Sequence, residues 1–193
     1  METLDPRRSA LVIVDLQQGI TAGSYVPHGA AEIIARSNRL ARRFRAAGGL
    51  VVQVSVDWHK GFCDAPDRPC DMPAQRAPDG PAANFAQFDE ALDVQDGDLR
   101  IVKRQWGAFY GTELDLQLRR RGIDTLVLCG IATNMGVEST ARDAWERHYT
   151  LVFAEDAMGS FTADMHRFPV AAIFPRLGFV RSTEAVEDML QPG

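Results

Sequence analysis

Two charged side chains stand at the ends of apolar, strand-like runs. Asp15 comes near the end of ALVIVDL (10–16), and Lys103 ends LRIVK (99–103). The carboxyl ends of parallel strands meet at one edge of a sheet, and open α/β sheets bind ligands outside that edge. A nearby cation favours the ionised form of a carboxylate, more strongly in a pocket than in water. We therefore predict a carboxylate–ammonium pair at the mouth of the sheet, although either residue alone is more often a solvated strand-end charge.

The stretch GIATNMGVESTARDA (130–144) has the pattern of a strand that ends, turns and enters a helix. Backbone N–H groups at a helix N-terminus lack partners and lie at the positive end of the helix dipole, which suits an anion or a developing oxyanion. An ordinary turn also explains Gly130. Gly136 is different, because a glycine in the first helical turn costs up to ~1 kcal/mol relative to alanine. Its presence indicates that another group approaches the backbone closely there.

Short apolar runs alternate with helical patterns along the chain. The predicted strands cover 10–16, 50–56, 99–103, 124–130, 150–156 and 178–182. The predicted helices cover 29–49, 111–122, 136–148, 163–174 and 183–190. Strands that are apolar throughout and alternate with helices indicate a parallel sheet covered on both faces. The sequence therefore predicts a single α/β domain over 1–193 with a six-stranded parallel sheet.

The composition is that of an ordinary globular protein, with 46% hydrophobic and 24% charged residues. A formal net charge of −5 argues against nucleic acid or an anionic membrane as a partner. The apolar run before Asp15 covers only ~7 residues, which is too short for a signal-peptide core or a membrane span. Three cysteines do not suggest a disulfide framework in a chain of 193 residues. We therefore expect a cytoplasmic protein.

Residues 61–83 interrupt the alternation of strands and helices. The segment contains five of the ten prolines together with Cys63 and Cys70. Loops of this length are usually lids or contact arms, although a tolerated surface insertion explains the segment equally well.

Three stretches, in this order, resemble the isochorismatase-like hydrolase superfamily. They are ALVIVDLQ with Asp15, VKRQWGAFYGTELDLQLRRRGIDTLVLCG with Lys103, and GIATNMGVESTARDA. The resemblance covers nearly the whole chain and implies a Rossmann-like three-layer αβα fold with a pocket at the strand ends. It also implies a cis peptide bond between Ile131 and Ala132, which would direct the backbone N–H of Ala132 into the pocket.

The chain departs from most of this family at residue 136. Most members use an aspartate, a lysine and a cysteine whose thiolate attacks an amide or related carbonyl, and this sequence has Gly136 at the cysteine position. Cys129 is no obvious substitute, because it falls within a buried strand. Isochorismatases also have glycine there and hydrolyse a vinyl ether, with the aspartate as general acid and no covalent intermediate. The resemblance thus implies that Asp15 transfers a proton, Lys103 stabilises charge and Gly136 leaves room for substrate or water.

Further residues are assigned to the pocket because they lie beside these motifs. Ala132 and Gly136 would offer backbone N–H groups to an oxyanion. The turn Ala132-Thr133-Asn134 replaces the Tyr-Ala-His type of turn in isochorismatases, so the substrate contacts of those enzymes do not transfer. The predicted pocket wall consists of Gln17, Trp58, His59, Trp106, Phe109, Tyr110, Thr133 and Asn134. An aromatic cluster such as Trp106, Phe109 and Tyr110 is more often part of a core, but its place just after Lys103 favours the pocket.

The sequence VDWH places Asp57 and His59 in a spacing that resembles the start of the metal site in nicotinamidases. No further histidine follows before His148, and Cys63 and Cys70 lie in the irregular segment. We therefore expect neither a bound metal nor a cofactor.

The leading hypothesis is a hydrolase that acts on a small molecule by non-covalent acid–base chemistry. One alternative is an amidohydrolase in which Asp15 activates water directly, and another is a pseudoenzyme that binds a small molecule without turning it over. Members of the superfamily commonly associate, and the segment 61–83 offers contact surface. We therefore also expect a homo-oligomer, with a dimer as the first interpretation.

Overall fold

One six-stranded sheet, parallel throughout, forms the centre of the protein. The computed structural model describes residues 3–190, and its strands lie in the order β3-β2-β1-β4-β5-β6. The strands are β1 (Ser9–Val14), β2 (Leu50–Val56), β3 (Leu99–Lys103), β4 (Thr125–Ile131), β5 (Thr150–Gly159) and β6 (Phe179–Arg181). This confirms the predicted α/β class and the parallel six-stranded sheet.

Seven α-helices surround the sheet in the described residues. They are α1 (Gln18–Thr21), α2 (Ala30–Ala46), α3 (Leu114–Arg120), α4 (Glu138–Glu146), α5 (Ala163–Phe168), α6 (Phe174–Leu177) and α7 (Thr183–Met189). Single turns of tighter or wider helix cover Pro6–Arg8, Lys60–Phe62, Thr133–Val137 and Pro169–Ile173. The short helix α1 was not predicted. The predicted helix 163–174 is instead α5, a wide turn and α6 in succession.

The strands are buried because helices cover both faces of the sheet. On β1, Leu11 and Ile13 belong to one core layer, whereas Ala10, Val12 and Val14 belong to the other. The first layer contains the apolar side of α2 and residues of α7, namely Ile33, Ile34, Leu40, Ala41, Phe44, Val186 and Met189. The second contains residues of α3, α4 and α6, namely Leu114, Leu118, Ala141, Ala144 and Phe174. The result is the three-layer arrangement that the resemblance implies.

The segment between β2 and β3 is long and almost without regular structure. Its only helical element in the structure is the turn Lys60–Phe62. Its second half is tied to the body of the protein, because Arg45 of α2 forms ion pairs with Asp93 and Asp98. Across residues 3–190, none of the helices combines the length and apolar character that crossing a membrane requires.

Close packing between β1 and β4 depends on a glycine at the end of β4. Gly130 pairs with Val14 in the register of the two strands and has a φ of 116°. A Cβ atom at this position would lie 2.1 Å from the carbonyl oxygen of Val14. Only glycine both adopts this backbone conformation readily and leaves room for the neighbouring strand.

We expect Gly130→Ala to lower the free energy of unfolding by about 3 kcal/mol or more, because backbone strain and a clash with backbone combine. Gly122→Ala is the matched control, since Gly122 also has a positive φ, 68°, but has no atom within 4 Å of the added Cβ. Its cost should be about 1–2 kcal/mol. Urea unfolding of both variants measures the difference, and equal losses would contradict this account of Gly130.

Candidate active site

Asp15 and Lys103 form a buried ion pair at the carboxyl ends of the strands. Lys103 Nζ lies 2.8 Å from Asp15 Oδ2 and also donates to the carbonyl oxygen of Gln105 at 3.0 Å. Asp15 is 5% exposed and Lys103 is 2% exposed. The pair that the strand-end positions predict is therefore present, and it is shielded from bulk water.

The sheet order explains why the partner is a lysine. Asp15 directly follows β1, and its N–H donates to the carbonyl oxygen of Val54 on β2 at 2.9 Å. Lys103 ends β3, which lies on the far side of β2. Neighbouring strands are about 4.8 Å apart, so a side chain from β3 must pass the end of β2 to reach Asp15. The four-carbon stem of lysine has the necessary length.

Two opposing effects set the protonation of Asp15. Burial raises the pKa of its carboxyl group, and the charge and hydrogen bond of Lys103 lower it; the net effect raises the pKa to about 6. Asp15 Oδ1 is buried and has no hydrogen-bond partner among residues 3–190. A carboxyl group with a pKa close to neutral pH and one unengaged oxygen is suited to proton transfer.

The turn after β4 lies against this carboxyl group. The peptide bond between Ile131 and Ala132 is cis, and one wide helical turn, Thr133–Val137, leads into α4. A Cβ atom on Gly136 would lie 3.0 Å from Asp15 Oδ2 and 3.0 Å from Val14 Cγ1. Residue 136 therefore faces the ion pair directly, and any side chain there would press on the carboxylate of Asp15.

Two predicted pocket residues have buried side chains, and their assignment to the pocket stays a prediction. Gln17 is fully buried; its Oε1 accepts from the N–H of Val56, and its Nε2 donates to the carbonyl oxygens of Val56 and Phe85. This amide fastens the long segment to the end of β2. Phe109 is also buried and packs against Tyr149 in the second core layer.

The other predicted wall residues are divided between surface and interior. His59, Trp106 and Tyr110 are largely exposed to solvent. Trp58 is partly buried, and its indole N–H donates to the carbonyl oxygen of Arg104 at 2.7 Å. Thr133 and Asn134, in the turn after β4, are engaged by side chains from other elements: Thr133 contacts His166, and Asn134 contacts Ser160.

One group among residues 3–190 has the donor atoms for a metal ion: His59, Cys63 and Asp64. Asp64 is already engaged, since its Oδ1 accepts from the N–H of His59 and its Oδ2 lies 2.7 Å from the Nδ1 of the same histidine. Arg104 Nε also lies 2.7 Å from Asp64 Oδ2. A guanidinium beside the carboxylate disfavours a cation there, so the group fits a loop contact better than a metal site.

Cys129 lies in the interior of β4, away from solvent. Its thiol is fully buried, and Sγ lies 3.5 Å from Ser37 Oγ. Burial raises the pKa of this thiol to about 12. A nucleophilic cysteine needs the thiolate form, so Cys129 is inert near neutral pH.

Sequence reasoning missed several residues that surround the site. The Tyr25 hydroxyl donates to the carbonyl oxygen of Ile20 at 2.7 Å, and burial and the negative charge of Asp15 raise the pKa of this tyrosine. Arg104 follows Lys103 and donates to the carbonyl oxygen of Asp57 at 2.7 Å. Ser160 and His166 contact the turn after β4. Each of these contacts joins positions without a shared motif, so no sequence pattern marks them.

Comparisons with known proteins agree with this architecture. The family model described as "Isochorismatase domain" matches residues 9–185. The chain is 48% identical over 192 residues to the uncharacterized isochorismatase family protein YecD of Escherichia coli O157:H7, covering 98% of this chain and 100% of the relative. It is 32% identical over 209 residues to the ureidoacrylate amidohydrolase RutB of Methylobacterium radiotolerans, covering 97% of this chain and 81% of the relative.

The fold is also closely matched by a solved structure. An isochorismatase family protein from Burkholderia thailandensis superimposes with a TM-score of 0.92 at 41% identity, covering 98% of each chain. The family match spans nearly all of the described residues, and the relatives are similar over most of their own lengths. This chain belongs to the isochorismatase family and is a hydrolase.

Proposed function

We propose that this protein hydrolyses a small molecule by acid–base chemistry in which Asp15 transfers the proton and no cysteine forms a covalent intermediate. The observation that carries this proposal is the contact between Gly136 and the ion pair. By resemblance, most members of the superfamily have a cysteine at the position of residue 136. A Cβ atom on this residue would lie 3.0 Å from Asp15 Oδ2. Residue 136 of this chain is glycine, so no side chain lies there.

The positions of the three cysteines support a mechanism without a thiolate. Cys129 is buried with a raised pKa. Cys63 and Cys70 are exposed in the long segment between β2 and β3. None of the three sits at the N-terminus of a helix, which is the position that lowers a thiol pKa.

The proposed roles follow from the geometry of the pair. Asp15 in its protonated form would deliver a proton to the leaving group, and its Oδ1 is the oxygen without a protein partner. Lys103 would stabilise the negative charge on Asp15 after proton transfer. The backbone N–H groups of Ala132 and Gly136 would face developing negative charge on the substrate.

A second candidate is an amidohydrolase in which the ionised Asp15 activates water. The similarity to RutB, described as a ureidoacrylate amidohydrolase, favours a ureido or amide substrate for this candidate. The two candidates use opposite protonation states of Asp15, and a pKa of about 6 makes both states accessible near neutral pH. A third candidate is a protein that binds a small molecule without turning it over. A small-molecule substrate, a homo-oligomer and a cytoplasmic location stay predictions.

Asp15 should titrate with a midpoint of about 6 when its carboxyl carbon is followed by ¹³C NMR from pH 3 to 9. Lys103→Met should move the midpoint upward, because the lysine lowers the pKa through its charge and its hydrogen bond. The matched control is Lys60→Met, which removes the only other lysine, an exposed one, and should leave the midpoint unchanged. A wild-type midpoint at the ordinary value of 3.8 would contradict the proposed acid.

Turnover of a panel of vinyl ethers, ureido compounds and amides tests the proposed function. Asp15→Asn should lower kcat by about 10²–10⁴-fold, because it removes the proton-transfer group. Asp57→Asn is the matched control, since it changes another strand-end aspartate whose Oδ1 accepts from the N–H of Trp58. It should stay near the wild-type rate, and circular dichroism should show that both variants are folded.

Alkylation with iodoacetamide completes this test. Cys63 and Cys70 are exposed and should react, whereas turnover should be largely retained. Loss of turnover on alkylation, together with full activity of Asp15→Asn, would overturn the proposal. If a compound of the panel stabilises the protein but is not turned over, the result would favour the third candidate, a protein that only binds the small molecule.

A further inference from the structure

A chain of three polar side chains lies behind the turn that follows β4. Thr133 Oγ1 is 2.9 Å from His166 Nδ1, and His166 Nε2 is 3.2 Å from Glu155 Oε1. Thr133 is fully buried, and His166 is 5% exposed. The three residues come from the turn, from α5 and from β5. The chain therefore joins the turn to two other elements.

Glu155 sets the direction of one hydrogen bond in this chain of side chains. An ionised carboxylate only accepts hydrogen bonds, so His166 Nε2 carries a proton and donates to Glu155. Nδ1 accepts from the hydroxyl of Thr133 if the ring is neutral and donates to its oxygen if the ring is charged, so the contact with Thr133 exists in both states. The hydrogen bond from His166 lowers the pKa of Glu155, which keeps that carboxyl group ionised.

The order hydroxyl, imidazole, carboxylate is that of a nucleophilic triad, but burial argues against this role. A nucleophile must touch the substrate, and Thr133 has no exposed surface. The hydroxyl is instead an anchor for its own backbone. Thr133 follows Ala132 directly and precedes Gly136 by three residues, so its position sets the position of both proposed N–H donors.

A second contact acts on the next residue of the turn. Asn134 Oδ1 accepts from Ser160 Oγ, the residue that follows β5. Two consecutive side chains of the turn are therefore held by the region around the end of β5. Errors of about 1 Å in the placement of reacting groups are sufficient to lower rates substantially.

We propose that His166 and Glu155 are positioning residues, which hold Thr133 and thereby fix the backbone of residues 132–136 against Asp15. This inference rests on the proposed function, because it assigns the turn a part in catalysis. Neither His166 nor Glu155 touches the substrate in this account.

Thr133→Val tests the proposal, because it keeps the shape of the side chain and removes the hydroxyl. Amide hydrogen exchange at Ala132 and Gly136 should become about tenfold faster, as expected for the loss of one buried hydrogen bond. Thr125→Val is the matched control: Thr125 is a buried threonine at the opposite end of β4, and its hydroxyl donates to Asp124 at 2.9 Å. It should leave exchange at both positions unchanged.

Two further readouts separate positioning from general stability. In the wild type, ¹⁵N NMR of the histidine rings should show His166 protonated at Nε2. With a substrate from the panel, Thr133→Val should lower kcat by about tenfold at nearly constant KM, and Thr133→Ser should restore it because it restores the hydroxyl. If Thr133→Val does not fold, Glu155→Ala, which removes a partly exposed side chain, should give the same changes in exchange and kcat.

The outcomes distinguish this inference from the proposed function. Unchanged exchange and unchanged kcat in the folded variants would overturn the positioning role. A neutral His166 ring with its proton on Nδ1 and none on Nε2 would also overturn it, because Nε2 could then not donate to Glu155. If the wild type turns over no compound of the panel, the proposed function fails, whereas exchange and ring protonation still decide whether the chain of Thr133, His166 and Glu155 fixes the turn.

Discussion

The ion pair between Asp15 and Lys103 is the constraint on which the rest of the site depends. Two charges that are almost completely removed from water are stable only while each satisfies the other, and loss of one partner from a buried pair typically costs about 3–5 kcal/mol. The order of strands brings the pair together, because β3 and β1 flank β2 and end at the same edge of the sheet. Burial also raises the pKa of Asp15, so the interaction that organises the site also gives it a titratable group near neutral pH.

The turn after β4 completes the site from the opposite side. Gly130 allows β4 to end close to Val14, and Gly136 brings the backbone of the turn against Asp15 without a side chain between them. A thiol on residue 136 would occupy the space beside the carboxylate. Glycine at this position is the basis of our proposal that Asp15 transfers the proton and that no thiol takes part. Family membership identifies the fold and the hydrolase class, whereas the proposed mechanism rests on this local geometry.

The sequence predicted the alternating strands and helices, but it did not predict contacts and burial that depend on the direction of individual side chains. The strands were predictable because both faces are buried, and Asp15 and Lys103 followed from the shared edge of parallel strands. The burial of Gln17 and Phe109 could not be read from their places beside the motifs, because it depends on the direction of their side chains. The contact between Thr133 and His166 joins residues 33 positions apart in sequence. No periodicity reports such a contact, because it depends on how α5 packs beside the turn.

Intact-protein mass spectrometry of the enzyme quenched during turnover tests the central claim most directly. A mechanism through Asp15 without a nucleophilic cysteine predicts that the enzyme keeps its unmodified mass at every time before and during the steady state. A covalent adduct that forms and decays at the rate of turnover, and that peptide mapping places on Cys63, Cys70 or Cys129, would contradict the account.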